Sequence, residues 1–314
     1  MTLKTQERTI SLIGAPVELG ARQAGCSLGP EAMRLSNLQE ALQSLGFDVN
    51  DLGNAVIAAA DDISLAGHTR NTQNIVGWTR SLFDAAYEIS KTGRLPIFMG
   101  GDHSLAMGTV SGVARYARDM DRPLCVLWLD AHADFNTPQT SDSGNMHGMP
   151  VAYFCGEPGF DKILPEDRPT IDPCNVFMFG IRSVDASERQ LIADRGINVY
   201  DMRAIDEFGT ASIIRSILEK VEARNAMLHV SLDVDFLDPT IAPGVGTTVP
   251  GGANLREAHL VMEMLYESRL VTSMDLAELN PYLDDRGKSA RMLTELTASL
   301  FGRKILDQPT ALSS

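Results

Sequence analysis

Apolar and β-branched residues in this chain gather into short, near-continuous runs more than into alternating ones. Eight runs read as strands: Thr9–Gly14, Phe47–Leu52, Leu95–Met99, Leu124–Leu129, Asn175–Gly180, Ile197–Tyr200, Met227–Leu232 and Leu270–Met274. Between most of them the apolar spacing changes to three and four, the period that lays one stripe along a helix. Leu35, Leu38, Leu42 and Leu45 keep that spacing, as do Leu255, Ala258, Met262 and Leu265. Helix starts fall at Pro30, at Asp102-His103-Ser104 and at Ser187-Glu188, where proline or a short polar side chain suits a first turn. Strands apolar along their whole length are covered on both faces. Their alternation with helices therefore predicts an α/β fold: a single three-layer α/β/α domain over residues 1–314, with a parallel sheet of about eight strands. Gly156–Pro173 reads as a surface loop and Asp201–Gly209 as another.

The polar residues that interrupt this pattern are as informative as the runs. In open α/β sheets ligands bind beyond the carboxyl ends of the strands, and five runs here deliver ionisable groups at that end. They are Asp102-His103, Asp130-Ala131-His132-Ala133-Asp134, Arg182 with Asp185, Asp233-Val234-Asp235, and Asp275 with Glu278. If the backbone stays extended, alternate side chains share a face. Asp130, His132 and Asp134 then point one way, and Asp233 and Asp235 do the same. Four carboxylates converging in a core repel one another unless a cation lies between them. Asp and His ligands without Cys favour Mn²⁺, Fe²⁺, Co²⁺ or Zn²⁺, and the carboxylate majority tilts toward Mn²⁺. Two such ions about 3.5–4 Å apart can share a bridging hydroxide that is nucleophilic near neutral pH. Asp130 and Asp233 are the bridging candidates. His103 completes one metal and His132 the other, while Asp134 both ligates and orients the hydroxide.

The remaining polar positions sort by context. His147, in Ser143-Gly144-Asn145-Met146-His147-Gly148, is a candidate proton shuttle, since imidazole titrates near neutrality. Glu278 ends an apolar run and needs a cation if buried, which is either the substrate or a structural ion-pair partner. Asp185 either caps the helix beginning near Ser187 or serves the site. His229 lies inside a run and reads as a satisfied core histidine or one that supports a ligand. His68 and His259 sit in helical stretches, at the surface or its boundary. Gly244–Gly252 is glycine-rich but lacks the Lys-Ser/Thr ending of a phosphate loop and does not follow a strand directly, so it reads as a substrate-facing loop.

Composition narrows the partners. The 314 residues carry a formal net charge of −14, which argues against nucleic acid or an anionic membrane. Two divalent ions would cancel about four of those charges. No stretch approaches ~18 apolar residues, so no membrane span is expected, and the first residues lack an apolar segment of signal-peptide type. Cys26, Cys125, Cys155 and Cys174 have neither zinc nor redox-motif spacing. Cys125 and Cys174, in or beside runs, read as buried thiols. A reducing, cytoplasmic setting fits.

Gly100-Gly101-Asp102-His103-Ser104, Trp128-Leu129-Asp130-Ala131-His132-Ala133-Asp134 and Ser231-Leu232-Asp233-Val234-Asp235 resemble the three metal-binding signatures of the ureohydrolases. The resemblance runs from Gly14-Ala15-Pro16 to Glu278-Leu279-Asn280-Pro281 and is closest to the arginases. It implies two Mn²⁺ per subunit and hydrolysis of L-arginine to L-ornithine and urea, by attack of a metal-bridging hydroxide on the guanidinium carbon. It also implies a homo-oligomer, trimeric or hexameric. By the same resemblance Glu278 binds the guanidinium, His147 shuttles the proton and Thr247 lines the pocket. Asn136, Ser141 and Ser143 grip the substrate carboxylate, and Asp185 receives its α-ammonium group. The segment Asp134-Phe135-Asn136-Thr137-Pro138 with its serine loop is similar to arginases rather than agmatinases, whose substrate has no carboxylate. Ser183 stands where many arginases carry an acid, and Asp142 lies between the two serines, so Asp142 is expected to face solvent. Agmatinase or another amidinohydrolase is the alternative within the superfamily. A two-metal phosphoesterase would want an Arg or Lys cluster to receive phosphate, and none accompanies these motifs. A non-catalytic metal-binding protein would have no use for His147.

Overall fold

The computed structural model describes residues 9–60, 63–164 and 168–304. Eight strands form one sheet: β1 Thr9–Ala15, β2 Asp48–Asn54, β3 Leu95–Gly100, β4 Leu124–Leu129, β5 Val176–Ile181, β6 Asn198–Asp201, β7 Met227–Asp233 and β8 Val271–Ala277. Their order is β2-β1-β3-β8-β7-β4-β5-β6, and every pairing is parallel. The central strands β3, β4, β5 and β7 are buried at every residue, which is why β3, β4 and β5 read as unbroken apolar runs, while β7 buries His229 and Ser231 as well. Each expected strand is present: β4 keeps the same ends, β8 runs three residues further, and the ends of the others shift by at most two residues.

Helices cover both faces. Leu127, Leu129, Leu228, Val230 and Leu232 of the sheet pack with α1 (Gly29–Leu35), α2 (Leu38–Gln43), α7 (Met202–Phe208), α8 (Thr210–Ala223), α9 (Leu255–Ser268) and α10 (Lys288–Leu300). Val126, Trp128, Val176 and Met178 face the other way, toward α3 (Thr72–Lys91), α4 (Ala106–Asp119), α5 (Pro150–Cys155) and α6 (Ala186–Arg195). The three-layer α/β/α arrangement results from that alternation of side chains across the sheet.

Several local expectations are corrected by the structure. The stripe Leu35-Leu38-Leu42-Leu45 is not one helix. Asn37 takes a left-handed conformation, φ 59°, which separates α1 from α2 and leaves Leu35 84% exposed. Asp201–Gly209 is not a loop, because the Asp201 carboxylate accepts the Ala204 N–H at 2.8 Å and starts α7. Gly156–Pro173 is irregular where described, yet Phe160, Ile163, Leu164 and Ile171 are buried in the core beneath it. Cys174 is exposed, whereas Cys125 is buried. His68 lies in a loop ahead of α3 and is exposed, and the helical His259 is half-buried.

The parallel register aligns the acidic strand ends. Leu129 of β4 pairs with Leu232 of β7, so Asp130 and Asp233 come next, side by side, at adjacent strand ends. One pleat below, Trp128 of β4, Ser231 of β7 and Asp275 of β8 form a row on the same face.

Candidate metal centre

The acidic clusters do not stay extended. After β4 the segment Asp130–Asp134 turns, with only His132 bridging to Ser183, and after β7 Val234–Phe236 forms a 3-10 turn. Side chains converge through these turns rather than through strand alternation. Asp134 takes φ 49° and Glu278 φ 63°, left-handed conformations that cost roughly 1–3 kcal/mol for such residues unless the surroundings hold them. Glu278 is held by its N–H to the Gly101 carbonyl at 2.8 Å. This bend turns its carboxylate back into the cavity instead of onward from β8.

Two clusters share Asp130. His103, Asp130 and Asp134 form one, and Asp130, His132 and Asp235 the other, each with ligand atoms within 4.8 Å of one another. His103 Nδ1 stands 3.1 Å from Asp130 Oδ2, 3.0 Å from Asp233 Oδ2 and 3.4 Å from Asp134 Oδ2. His132 Nδ1 lies 3.0 Å from Asp235 Oδ2 and 3.6 Å from Asp130 Oδ1. All six residues singled out as metal ligands are therefore brought together, with Asp130 and Asp233 in the middle. Backbone N–H groups fix the carboxylates: His132 N–H donates to Asp130 at 2.6 Å, Ala131 N–H to Asp235 at 3.0 Å and Asp235 N–H to Asp233 at 2.7 Å.

This arrangement is electrostatically frustrated without a cation. Burial and the Asp130 charge push Asp134 well above the ordinary carboxyl range. Burial, then Asp235 and Asp130, do the same to Asp233, and burial with Asp130 raises Asp235. Burial would lower both histidines, but Asp130 and Asp233 lift His103 well above its usual value, and Asp130 and Asp235 lift His132 to about 12. His103 Nδ1 and Asp130 Oδ2 are buried and make no hydrogen bond. Orphaned nitrogen and oxygen lone pairs facing one point are what a divalent ion needs, so the donor set fits a pair of such ions.

The cage floors a cavity of about 140 Å³. On one side stands Glu278, 2% exposed, whose Oε1 accepts the His103 N–H at 2.8 Å and lies 2.9 Å from His147 Nδ1. Burial would lower His147, but the Glu278 charge and hydrogen bond dominate and push it up to about 9. Burial would raise Glu278, but His147 draws it below its ordinary value. On the other side lie Asn136, Ser141, Ser143 and Asp185, and Thr247 donates to Asp235 Oδ2 at 3.1 Å. Ser141 Oγ accepts the Gly144 N–H and Ser143 Oγ the Asn145 N–H, which leaves both hydroxyl protons to donate into the cavity. Asn136 Nδ2 donates to Asp185 at 3.2 Å. Asp142 is exposed and outside the lining.

In the sequence Glu188 marks only a helix start. The structure places its side chain in the cavity wall, 4% exposed, accepting N–H groups from Phe135 at 2.6 Å and Asp185 at 3.3 Å. Burial raises it to about 7. The one available signal was a glutamate three residues after an N-cap aspartate that itself ends a strand connection. Asp185 caps α6 and lines the cavity, so its two readings do not compete. His229 is a core histidine, with Nδ1 2.8 Å from Ser273 Oγ and Nε2 3.1 Å from Asp275 Oδ2 but without a hydrogen bond.

A model of the Arginase family matches residues 8–302. An arginase from Agrobacterium fabrum is 51% identical over 304 residues, covering 96% of this chain and 94% of that protein. The native crystal structure of the arginase from Bacillus caldovelox superposes with a TM-score of 0.88 at 40% identity, covering 95% of this chain and all of that one. An Entamoeba histolytica arginase, solved in complex with L-ornithine, gives a TM-score of 0.83 at 28% identity with the same coverage.

Proposed function

This chain is a hydrolase of the arginase family, and from that premise we propose that it converts L-arginine and water to L-ornithine and urea with two Mn²⁺ per subunit. What supports this reading most is the meeting of three features in one cavity. They are the Asp/His cage, the buried Glu278 paired with His147, and a wall of hydroxyl and amide donors beside Asp185. The carboxylate-rich donor set favours manganese. Asp130, Asp233, Asp134 and His103 would hold one ion, and Asp130, Asp233, His132 and Asp235 the other. When bound, the ions supply the positive charge that lets a water between them lose a proton near neutral pH.

The chain's own residues do the rest. Glu278 receives the planar guanidinium as a buried carboxylate and holds its carbon above the cage. The Asn136, Ser141 and Ser143 donors take the α-carboxylate, and Asp185 with Glu188 faces the α-ammonium group. That wall sets the distance from the amino-acid end to the reacting carbon. Asp134 accepts a hydrogen bond from the attacking water and aims it. A C–O bond forms, the C–N bond to the ornithine side breaks, and the leaving amine takes a proton. His147, protonated at neutral pH beside Glu278, supplies it. We place the enzyme in the cytoplasm as a trimer or hexamer. No helix among the described residues is long and apolar enough to cross a membrane.

The test is urea release by manganese-loaded protein from arginine, agmatine and other guanidino compounds side by side. Arginine should be turned over far better than agmatine. Turnover of agmatine with none of arginine would move the chain to another amidinohydrolase activity.

A further inference from the structure

The serines of the cavity wall lie on a loop that a second segment, residues 66–71, clasps from behind. The proposed reaction makes no use of that segment. His68 N–H donates to the Pro138 carbonyl at 2.7 Å, and Arg70 N–H donates to the Gly144 carbonyl at 2.8 Å. These two carbonyls bracket residues 139–143, which include Ser141 and Ser143. The Gln139 side-chain amide adds a third bond, to the Ala66 carbonyl at 2.6 Å. Two glycines let the chains approach so closely. Gly67 has φ 130°, and a Cβ there would run into the Pro138 carbonyl. Gly144 has φ 71°, and a Cβ there would lie 2.9 Å from Cδ2 and Nε2 of His68. The imidazole ring thus fills the space that a side chain on Gly144 would take. The clasp is anchored at both ends. Leu65 before it is buried in the core. Asn71 stands at the start of α3 and donates its side-chain N–H to the Leu19 carbonyl at 2.9 Å.

We propose that residues 66–71 position the carboxylate-binding loop, and that His68 thereby sets the preference for a substrate with an α-carboxylate. The segment stands outside the cavity lining, so it acts through Ser141 and Ser143 and not by contact. Gly144, held by Arg70 and His68, donates its own N–H to Ser141 Oγ at 3.0 Å. The clasp therefore fixes the oxygen whose proton points at the substrate. Hydroxyl bonds to a carboxylate are short and directional, and a drift of about 1 Å forfeits them. The cage, Glu278 and His147 lie on other segments, so the reacting carbon keeps its surroundings. The inference rests on the arginine reading and adds to it what holds the amino-acid end in register.

The test uses the manganese-loaded full chain with His68→Ala, Gly67→Ala and His68→Phe. Arginine kinetics and manganese content are measured beside calorimetric titration with L-ornithine and with putrescine, which is ornithine without its carboxylate. In His68→Ala and Gly67→Ala, KM for arginine and Kd for ornithine should rise roughly 10- to 100-fold. The kcat, the putrescine Kd and the manganese content should stay as in the wild type, the mark of binding lost equally from ground and transition states. His68→Phe keeps a flat ring against Gly144 and should retain wild-type constants. Wild-type constants in His68→Ala and Gly67→Ala overturn the inference. So does an equal weakening of ornithine and putrescine, or a fall in kcat at unchanged KM. A His68→Phe as impaired as His68→Ala overturns the packing role of the ring. If Gly67→Ala does not fold, His68→Ala, at an exposed position, decides alone. A wild type that binds ornithine no better than putrescine overturns the carboxylate reading of the wall, and this inference with it.

Discussion

At the scale of single residues, the site consists of groups held in states that water would not allow. His147 and Glu278 are the clearest pair, each shifting the other so that both stay charged. If His147 supplies the leaving-group proton, His147→Ala should lower kcat by about 10²- to 10⁴-fold with both ions retained, as read by kinetics beside metal analysis. Asp130→Ala or Asp233→Ala should strip metal instead. The pair also carries a pH signature in metal-free protein. The His147 value of about 9 lies above the ordinary 6.5, so its contribution to stability is full below 6.5 and lost as pH rises through 9. Glu278 is shifted down from 4.5, so its contribution is present above 4.5 and lost as pH falls. The melting-temperature gap between wild type and His147→Asn should therefore be widest between about pH 4.5 and 6.5 and close above about pH 9. The ligand residues were legible because type and spacing alone mark Asp-x-His-x-Asp and Asp-x-Asp at strand ends. Glu188 was not, since its burial depends on how α6 docks against Phe135.

At the scale of elements, the central strands β3, β4 and β5 were legible because burial on both faces leaves them apolar along their whole length. The short helices were not: Asn37 breaks one and Asp201 starts another through single local bonds that periodicity does not register. Turn geometry was equally hidden, and the ligands converge through the left-handed Asp134 and Glu278 rather than through extended backbone. Gly101 shows how tightly these connections are built. A Cβ there would lie 1.7 Å from the Val17 carbonyl oxygen, while its own carbonyl accepts the Glu278 N–H. Gly101→Ala should cost about 3 kcal/mol or more, seen as a lowered denaturation midpoint. Manganese uptake should fall with it, because the displaced segment leads into Asp102 and His103.

At the scale of the whole molecule, the frustrated carboxylates couple metal binding to stability. Chelator-treated protein should melt well below the manganese-loaded form, and each ion present at 100 times its Kd should restore about 2.7 kcal/mol. Calorimetry with and without manganese measures this, and an unchanged midpoint would mean that the cage is relieved by protonation alone. Sheet order was the least legible property, since runs of apolar residues carry no information on which strands become neighbours. That order has a consequence for how the protein is made. Strand β8, latest of the eight to leave the ribosome, is the keystone between a β2-β1-β3 leaf that carries His103 and a β7-β4-β5-β6 leaf that carries the aspartates and His132. Until it slides into place the nascent polypeptide holds His103 apart from the other five ligands. The cluster that uses His103 is thereby assembled only after β8 has emerged, whereas Asp130, His132 and Asp235 already share one leaf.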